Sequence, residues 1–261
     1  MGVALAGKVV LVTGSSRGIG AAVARQAAAE GAQVAVHYRA GAEQAERVVA
    51  EARAAAGADA RAFQADLRDG DAAERLVGQV VQTFGRLDGL VNNAGMDQRG
   101  PTLELAPDEW DAVIATNLTA AFDCSRNAIG DLLKSDNGRL VFVASVASIR
   151  GVPYASHYAA SKHGLLGLTR SLAAEYAKTN LTVNAVCPGY VDSPMTDQSV
   201  ARVSEITGRS EGDARAAITN MNVNGRLVDP QAIANVIAMF CMPLSRDING
   251  AAVTIDGGTS A

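Results

Sequence analysis

"KVVLVTGSSRGIG", residues 8–20, sets the reading of the whole chain. Residues 8–13 are an apolar, β-branched run that reads as a strand. A turn bearing Gly14, Gly18 and Gly20 follows and opens a helix. Glycines suit a chain that must leave a strand sharply, approach a phosphate and pack a helix on a sheet. The helix N-terminus then offers free amides and a positive dipole end to a pyrophosphate. Ser16, Arg17 and Ile19 lie inside the same turn and join the candidate cofactor contacts. The spacing is GxxxGxG, and a bare glycine cluster also suits an ordinary tight turn. The strand before it and the helix after it favour a dinucleotide site.

Outward from this turn, short β-branched runs alternate with alanine-rich stretches. The runs cover 8–13, 33–38, 60–65, 88–92, 138–145, 181–187 and 251–256. Several are continuously apolar, as expected of strands buried on both faces of a parallel sheet. Between them, 41–56 places Ala42, Ala45, Val48, Val49 and Ala52 at helical spacing. Long helices are expected over 107–133 and 157–178, the first opened by Pro107 and two acids. Asp229-Pro230 marks another helix start. Strands alternating with helices predict one α/β domain, doubly wound, over 1–261. The polar, strandless stretch 194–228, with a helical "RSEGDARAAIT" inside it, is expected to form a mobile substrate-binding lid.

Bulk composition removes several classes of function. A net charge of −4 offers no nucleic-acid surface. No apolar run reaches the roughly 18 residues of a membrane span. "MGVALAGKVVLVTG" lacks the basic start and clean apolar stretch of a leader. Cys124, Cys187 and Cys241 are odd in number and far apart, which argues against disulfides or a zinc site and for a reducing compartment. A cytoplasmic protein with no metal is expected.

The end of the second strand chooses the cofactor. NAD sites usually carry an acid there, and NADP sites a basic residue. The chain has "HYRAG", so Tyr38 and Arg39 face the choice with no carboxylate, and Arg17 can add a second guanidinium. NADP(H) is expected, with NAD(H) as the alternative if Arg39 lies in solvent.

The segment "SVASIRGVPYASHYAASKHG", 145–164, carries the chemistry. Tyr158 has Lys162 at i+4 on one helix face, whereas Tyr154 has only Tyr158 at that spacing. A cation about 4 Å away at an effective dielectric of ~20 is worth roughly 4 kcal/mol. That would bring a phenol from ~10 towards ~7–8, where general acid–base catalysis works best. Ser145 ends a strand at the crevice, where sites form in open α/β sheets. Ser148 and Ser156 read as cap or turn residues.

Taken together, "TGSSRGIG" (13–20), "NNAG" (92–95), "TNL" (116–118), Ser145, "YAASK" (158–162) and "PG" (188–189) resemble the short-chain dehydrogenase/reductase family over nearly the full length. The resemblance implies a seven-stranded Rossmann domain with helices on both faces, assembled as a homotetramer. It implies Tyr158 as proton donor or acceptor and Ser145 as hydrogen-bond partner of the substrate oxygen. Lys162 would hold the nicotinamide ribose and lower the phenol pKa, and Asn117 would order a water leading from Lys162. Asp66, with Leu67, would meet the adenine. Asn92, Asn93, Ala94 and Gly95 would line the adenosine ribose and neighbouring cofactor. Pro188, Gly189, Val191 and Ser193 would meet the nicotinamide and pyrophosphate. Simpler alternatives stand beside two of these: a local backbone bond for Asn117 and a turn or cap for Asp66. His37, His157 and His163 show no ligand spacing, and Trp110 reads as a packing residue.

The resemblance points to 3-oxoacyl thioester reductases, with polyketide ketoreductases nearby, and to a small ketone, alcohol or acyl thioester as partner. Carrier-protein reductases present arginines where this chain has Asp136 and Ala174, leaving Lys134 and Arg139 as a weakened patch. A coenzyme A thioester or small free ketone is therefore expected. Reduction on acyl-carrier protein is the alternative, and a catalytically silent dinucleotide-binding regulator is the alternative of another class.

Overall fold

The computed structural model describes residues 4–56 and 58–261. Met1–Val3, the start of the stretch read as lacking a leader, and Gly57 lie outside the described residues. All seven expected strands form: β1 Val9–Val12, β2 Gln33–Tyr38, β3 Ala60–Gln64, β4 Gly89–Asn92, β5 Arg139–Val143, β6 Thr182–Pro188 and β7 Ala252–Ile255. They make one parallel sheet in the order β3-β2-β1-β4-β5-β6-β7. The order reverses beside β1, between β1 and β4, so the crevice of a doubly wound sheet opens at their carboxyl ends.

Alternation along β1 splits the core. Val10 and Val12 face one apolar cluster with α1 (Gly18–Ala29), α2 (Ala42–Ala56) and α9 (Pro230–Cys241). Val9 and Leu11 face the other, with α3 (Ala72–Phe84), α5 (Ala120–Leu132) and α6 (Ser156–Glu175). Strands covered on both sides must be apolar throughout, which is why they read as unbroken runs. The three cysteines are free and buried within these layers. Among the described residues no helix is long and apolar enough to cross a membrane, and no cluster of metal ligands forms.

The helix expected over 107–133 is not continuous. It divides into α4 (Pro107–Ile114), a π turn at Ala115–Thr119 and α5. The π turn inserts a wider loop into the backbone ladder, and the Ala120 amide reaches back to the Ala115 carbonyl. Asn117 sits inside it. Trp110, on α4, is 39 % exposed and so is not the core residue its type suggests. Within 194–228, α7 (Pro194–Thr207) and α8 (Glu211–Thr219) pack through Val200, Ala214 and Ile218 against Tyr190, Val203 and Leu227. A single parallel bridge, Val191–Val228, joins the ends of this segment.

His37, to which the sequence assigns no chemistry, braces the first turn. Its Nδ1 accepts the Gly14 amide at 2.9 Å, and Nε2 lies 3.1 Å from the Ala65 carbonyl. An accepting Nδ1 leaves the proton on Nε2, so the ring is fixed as one neutral tautomer. Burial lowers its pKa from 6.5 to about 4. The folded chain therefore binds fewer protons than the unfolded chain between those two values. Stability from this group is complete above about pH 6.5 and is lost as pH falls to about 4, by roughly 3 kcal/mol. Urea unfolding from pH 7 to pH 4 reads this. The midpoint of the parent should fall more steeply than that of His37→Asn, and identical slopes would refute the linkage.

Candidate active site

The first turn is shaped by close approach. Gly14 has φ +63°, and a Cβ there would lie 2.9 Å from the Cα of Ala94. A Cβ on Gly20 would lie 2.5 Å from both the side-chain Nδ2 of Asn93 and the Gly14 carbonyl oxygen. Asn93 Nδ2 donates to the carbonyls of Thr13 (2.8 Å) and Gly14 (3.0 Å), while Thr13 Oγ1 accepts the amides of Asn93 and Ala94 at 3.0 Å. Asn93 thus ties the end of β4 to the glycine turn. Gly18 faces Ser193, whose Cβ would be 3.7 Å from a Cβ at position 18. Ser193 immediately precedes α7, so this approach brings the N-termini of α1 and α7 onto the same space. Two positive dipole ends and a turn cleared of side chains fit a pyrophosphate.

At the ends of β2 and β3, Arg39 is exposed and forms no ion pair among the described residues, and the same holds for Arg17. Tyr38 packs against the core cluster of α1 and α2. Asp66 is held by Arg68, which the sequence reading overlooked. The guanidinium hydrogen bonds to both carboxylate oxygens and keeps the acid at about 2. Leu67 packs its side chain on the core beside α3 and α5. Asn92 is buried and its Nδ2 donates to Ser125 on α5 at 3.0 Å, so its side chain turns into the fold. On the other side of the crevice, Gly189 is pinned by its amide to Ile255, Pro188 ends β6, and Val191 is buried.

Tyr158 and Lys162 share one face of α6, one turn apart. Tyr154 lies in the loop before α6, with φ +61° and 66 % exposed. Ser145 follows β5 as the cap of a short 3-10 turn, Val146–Ser148. Its Oγ accepts the Ala147 amide at 3.1 Å, which leaves the hydroxyl proton free to donate. Ser148 accepts the Ser145 amide at 3.1 Å, the capping role its place suggests. Lys162 Nζ donates to the Val143 carbonyl at 2.8 Å and lies 5.7 Å from the centre of the Tyr158 ring. A Cβ on Gly95 would lie 3.2 Å from Asn117 Oδ1 and 3.7 Å from Lys162 Nζ, so these groups converge around one bare backbone.

Asn117 is fully engaged. Its Oδ1 accepts the Met96 amide (2.8 Å), and its Nδ2 donates to the Met96 carbonyl (3.0 Å) and to Ser161 Oγ (3.1 Å). It therefore clamps the loop after β4 to α6, with no side-chain polar atom left over.

Electrostatics correct the simple picture of a lysine lowering a phenol. Burial raises the Tyr158 pKa well above that of a free phenol, and Asp97 adds to the rise. The groups that oppose it are the Ser145 hydroxyl and Arg99. Lys162 is itself brought down to about 8 by burial. The sequence reading also missed Asp97, Arg99 and Tyr190. Arg99 Nε is 3.0 Å from Asp97 Oδ2, Nη1 donates to Tyr190 Oη at 3.3 Å, and the guanidinium lies 5.6 Å from the Tyr190 ring centre. Asn222, buried below, holds the backbone of Tyr190 by 3.0 and 2.8 Å bonds. A lone Asp or Arg in a loop carries no pattern, so only the assembled fold reveals this group.

The basic patch read from Lys134 and Arg139 does not form. Arg139 is buried in β5 and bonds the Gly138 and Asn180 carbonyls, Lys134 pairs with Asp131, and Asp136 is exposed and pairs with Lys8. These residues sit at the end of β5 opposite Ser145.

A family model described as short chain dehydrogenase matches residues 8–204. The 3-oxoacyl-[acyl-carrier-protein] reductase FabG of Staphylococcus aureus is 38 % identical over 251 residues, 96 % of this chain and 97 % of that one. A 3beta-hydroxysteroid dehydrogenase of Mediterraneibacter gnavus is 37 % identical over 263 residues, covering 96 % of this chain and 94 % of that one. Among solved structures, an actinorhodin polyketide ketoreductase variant with NADPH superimposes with TM-score 0.92 at 38 % identity, over 99 % of each chain. Levodione reductase gives TM-score 0.92 at 32 % identity, over 98 % of each chain. With sequence, topology and crevice in agreement, the chain belongs to the short-chain dehydrogenase family, oxidoreductases that use a nicotinamide dinucleotide on CH–OH groups and their ketones.

Proposed function

We propose that this protein is an NADP(H)-dependent reductase that interconverts a 3-oxoacyl thioester, or a small free ketone, and its secondary alcohol. Ser145, Tyr158, Lys162 and Asn117 form its working set. The observation that carries this reading is that Tyr158 and Lys162 lie one turn apart on the same face of α6, with the Lys162 ammonium 5.7 Å from the ring centre, while Tyr154 stands exposed in the loop before the helix.

The bound dinucleotide supplies or takes up hydride. In the reductive direction, Tyr158 Oη donates a proton to the substrate oxygen, and Ser145 donates a hydrogen bond to the same atom. Burial favours the protonated phenol, the form a proton donor needs at neutral pH. Lys162, steadied on Val143, holds the nicotinamide ribose. Asn117 fixes Met96 and α6 relative to one another, and so acts through position. Gly14, Ser16, Arg17, Gly18, Ile19, Gly20 and Ser193 cradle the pyrophosphate, and α7 with α8 form the lid over the substrate.

Tyr158→Phe should lower turnover at least about 10²-fold while NADPH binding is nearly unchanged, whereas Tyr154→Phe should keep near-normal rates. Steady-state assays with a 3-oxoacyl substrate and NADPH fluorescence titrations measure both; the reverse pattern would sink the assignment. NADPH binding by the parent without turnover of any 3-oxoacyl substrate would revive the silent regulator.

NADPH should be preferred over NADH, because the exposed Arg39 and Arg17 have no carboxylate partner among the described residues and can bond a 2′-phosphate. Arg39→Ala should weaken NADPH selectively, and equal efficiency of the parent with both cofactors would contradict this.

The substrate form rests on position and charge: Arg139 is buried, and the segment that carries it and Lys134 lies at the end of β5 away from Ser145, so it offers an acidic carrier helix no basic landing site beside the crevice. Matched 3-oxoacyl groups on coenzyme A and on carrier protein should give similar kcat/KM. A large carrier advantage, lost at high salt, would restore the carrier-dependent role. Homotetramer assembly in the cytoplasm belongs to the same reading. Trp110 and Phe122, exposed on α4 and α5, support the assembly, which light scattering reads directly.

A further inference from the structure

Lys162 is the only cation that the sequence places beside Tyr158, yet its ammonium is 5.7 Å from the ring centre and anchored to the Val143 carbonyl. A second cation is built into the loop after β4. Arg99 is gripped on three sides: Asp97 binds Nε at 3.0 Å, the Tyr190 hydroxyl takes Nη1 at 3.3 Å, and the Tyr190 ring lies 5.6 Å away. The loop itself is tied to the approach to α6. The Gly100 amide donates to the Tyr154 carbonyl at 2.9 Å, and Thr102 Oγ1 donates to Ser156 Oγ at 3.3 Å. Tyr190 is in turn fixed by the buried Asn222.

Such a construction is more than a surface ion pair. The Asp97 side chain is 10 % exposed, and its Oδ1 is buried with no hydrogen-bond partner. A carboxylate left half-paired in the interior is costly unless its charge serves a neighbour. Cations held by a partner in a low-dielectric site act on nearby ionisations over several ångströms.

We propose that Arg99, clamped by Asp97 and Tyr190, is a positioning residue for the reaction: its fixed charge favours the phenolate of Tyr158 when the enzyme takes a proton from an alcohol. Asp97 opposes it and acts on the phenol more strongly than Arg99 does, so each partner of the clamp pulls Tyr158 in its own direction. The inference rests on the reading of Tyr158 as the acid–base group. The groups that act on that phenol are Asp97 and Arg99 from the loop after β4, Ser145 from the end of β5 and Tyr190 from the loop after β6, while Lys162 of α6 lies 5.7 Å from its ring centre. His157, buried beside it with both ring nitrogens unpaired, faces Asp97 and Glu109. In oxidation, the alcohol O–H bond breaks and its proton passes to the Tyr158 oxygen, while the hydride leaves carbon for NADP⁺. Removing Arg99 makes the phenolate harder to form, and removing the Asp97 charge makes it easier.

The test is the pH profile of kcat/KM for oxidation of a 3-hydroxyacyl coenzyme A thioester with NADP⁺, which should rise as Tyr158 loses its proton. Arg99→Met should move that rise up by about one pH unit, a tenfold loss at fixed pH on the rising limb. Arg99→Lys should recover most of it, and Asp97→Asn should move the rise down. NADPH affinity, followed by nicotinamide fluorescence, should stay within about twofold in all three, since a structural role would not produce opposite shifts. An unmoved profile in Arg99→Met, or shifts of the same sign in Arg99→Met and Asp97→Asn, overturns the proposal. Should Arg99→Met not fold, an unmoved profile in Asp97→Asn, or a rise moved up by a full pH unit in Arg99→Lys, overturns it equally. Tyr158→Phe separates the two levels: retained turnover there refutes the acid–base reading itself, whereas a dead Tyr158→Phe with unmoved Arg99 and Asp97 profiles refutes only this inference.

Discussion

A single backbone amide anchors the crevice: the Gly14 N–H donates to the buried Nδ1 of His37 at 2.9 Å. This bond holds the turn after β1 against the end of β2, and Asn93 holds it against the end of β4. The turn must therefore run where no side chain fits, with Ala94 at 2.9 Å from a Cβ of Gly14. Once it does, the N-terminus of α1 points into the crevice and Ser193 at the start of α7 comes up to meet it. A neutral imidazole suits this place because burial suppresses its charge, and a doubly protonated ring would have no lone pair on Nδ1 to accept the Gly14 N–H.

The proton chemistry is governed by the same exclusion of water. Burial raises the phenol of Tyr158 and lowers the ammonium of Lys162 to about 8, so both charged forms are disfavoured. Each needs support from fixed neighbours. For the lysine it is the Val143 carbonyl, and for the tyrosine the Ser145 hydroxyl and the guanidinium of Arg99. The scaffold holds these partners at distances that flexible side chains in water would not keep.

Asn117 shows how a local irregularity serves this geometry. Its spacing from the buried Val113, Ala120, Ala121 and Cys124 puts it on the face that packs against the fold, not on the solvent side. The π turn at Ala115–Thr119 accompanies its burial, where it bonds both polar groups of Met96 and Ser161 at once. The loop that carries Asp97 and Arg99 begins at Met96. The clamp therefore sets the direction in which that loop leaves the sheet, and with it the surroundings of Tyr158.

Much of the protein is legible in its residues alone. The seven apolar runs, the glycine turn and the Tyr158–Lys162 spacing all express local rules: period along a strand, freedom at glycine, and the 3.6-residue turn of a helix. Such rules act between near neighbours, so the strands, the doubly wound layout and the sharing of one helix face by Tyr158 and Lys162 follow from the sequence. What depends on meetings between distant segments was decided by the tertiary structure. Asn92 and Asn93 are adjacent in the chain, yet one turns into α5 and the other braces the glycine turn, because each is aimed by a different partner. Arg139 reads as a surface cation but is drawn into the core by the Gly138 and Asn180 carbonyls. The acidity of Tyr158 reflects Asp97, Arg99 and burial, none of which has a signature in sequence, because electrostatic coupling depends on distance in space and on the water excluded between the groups.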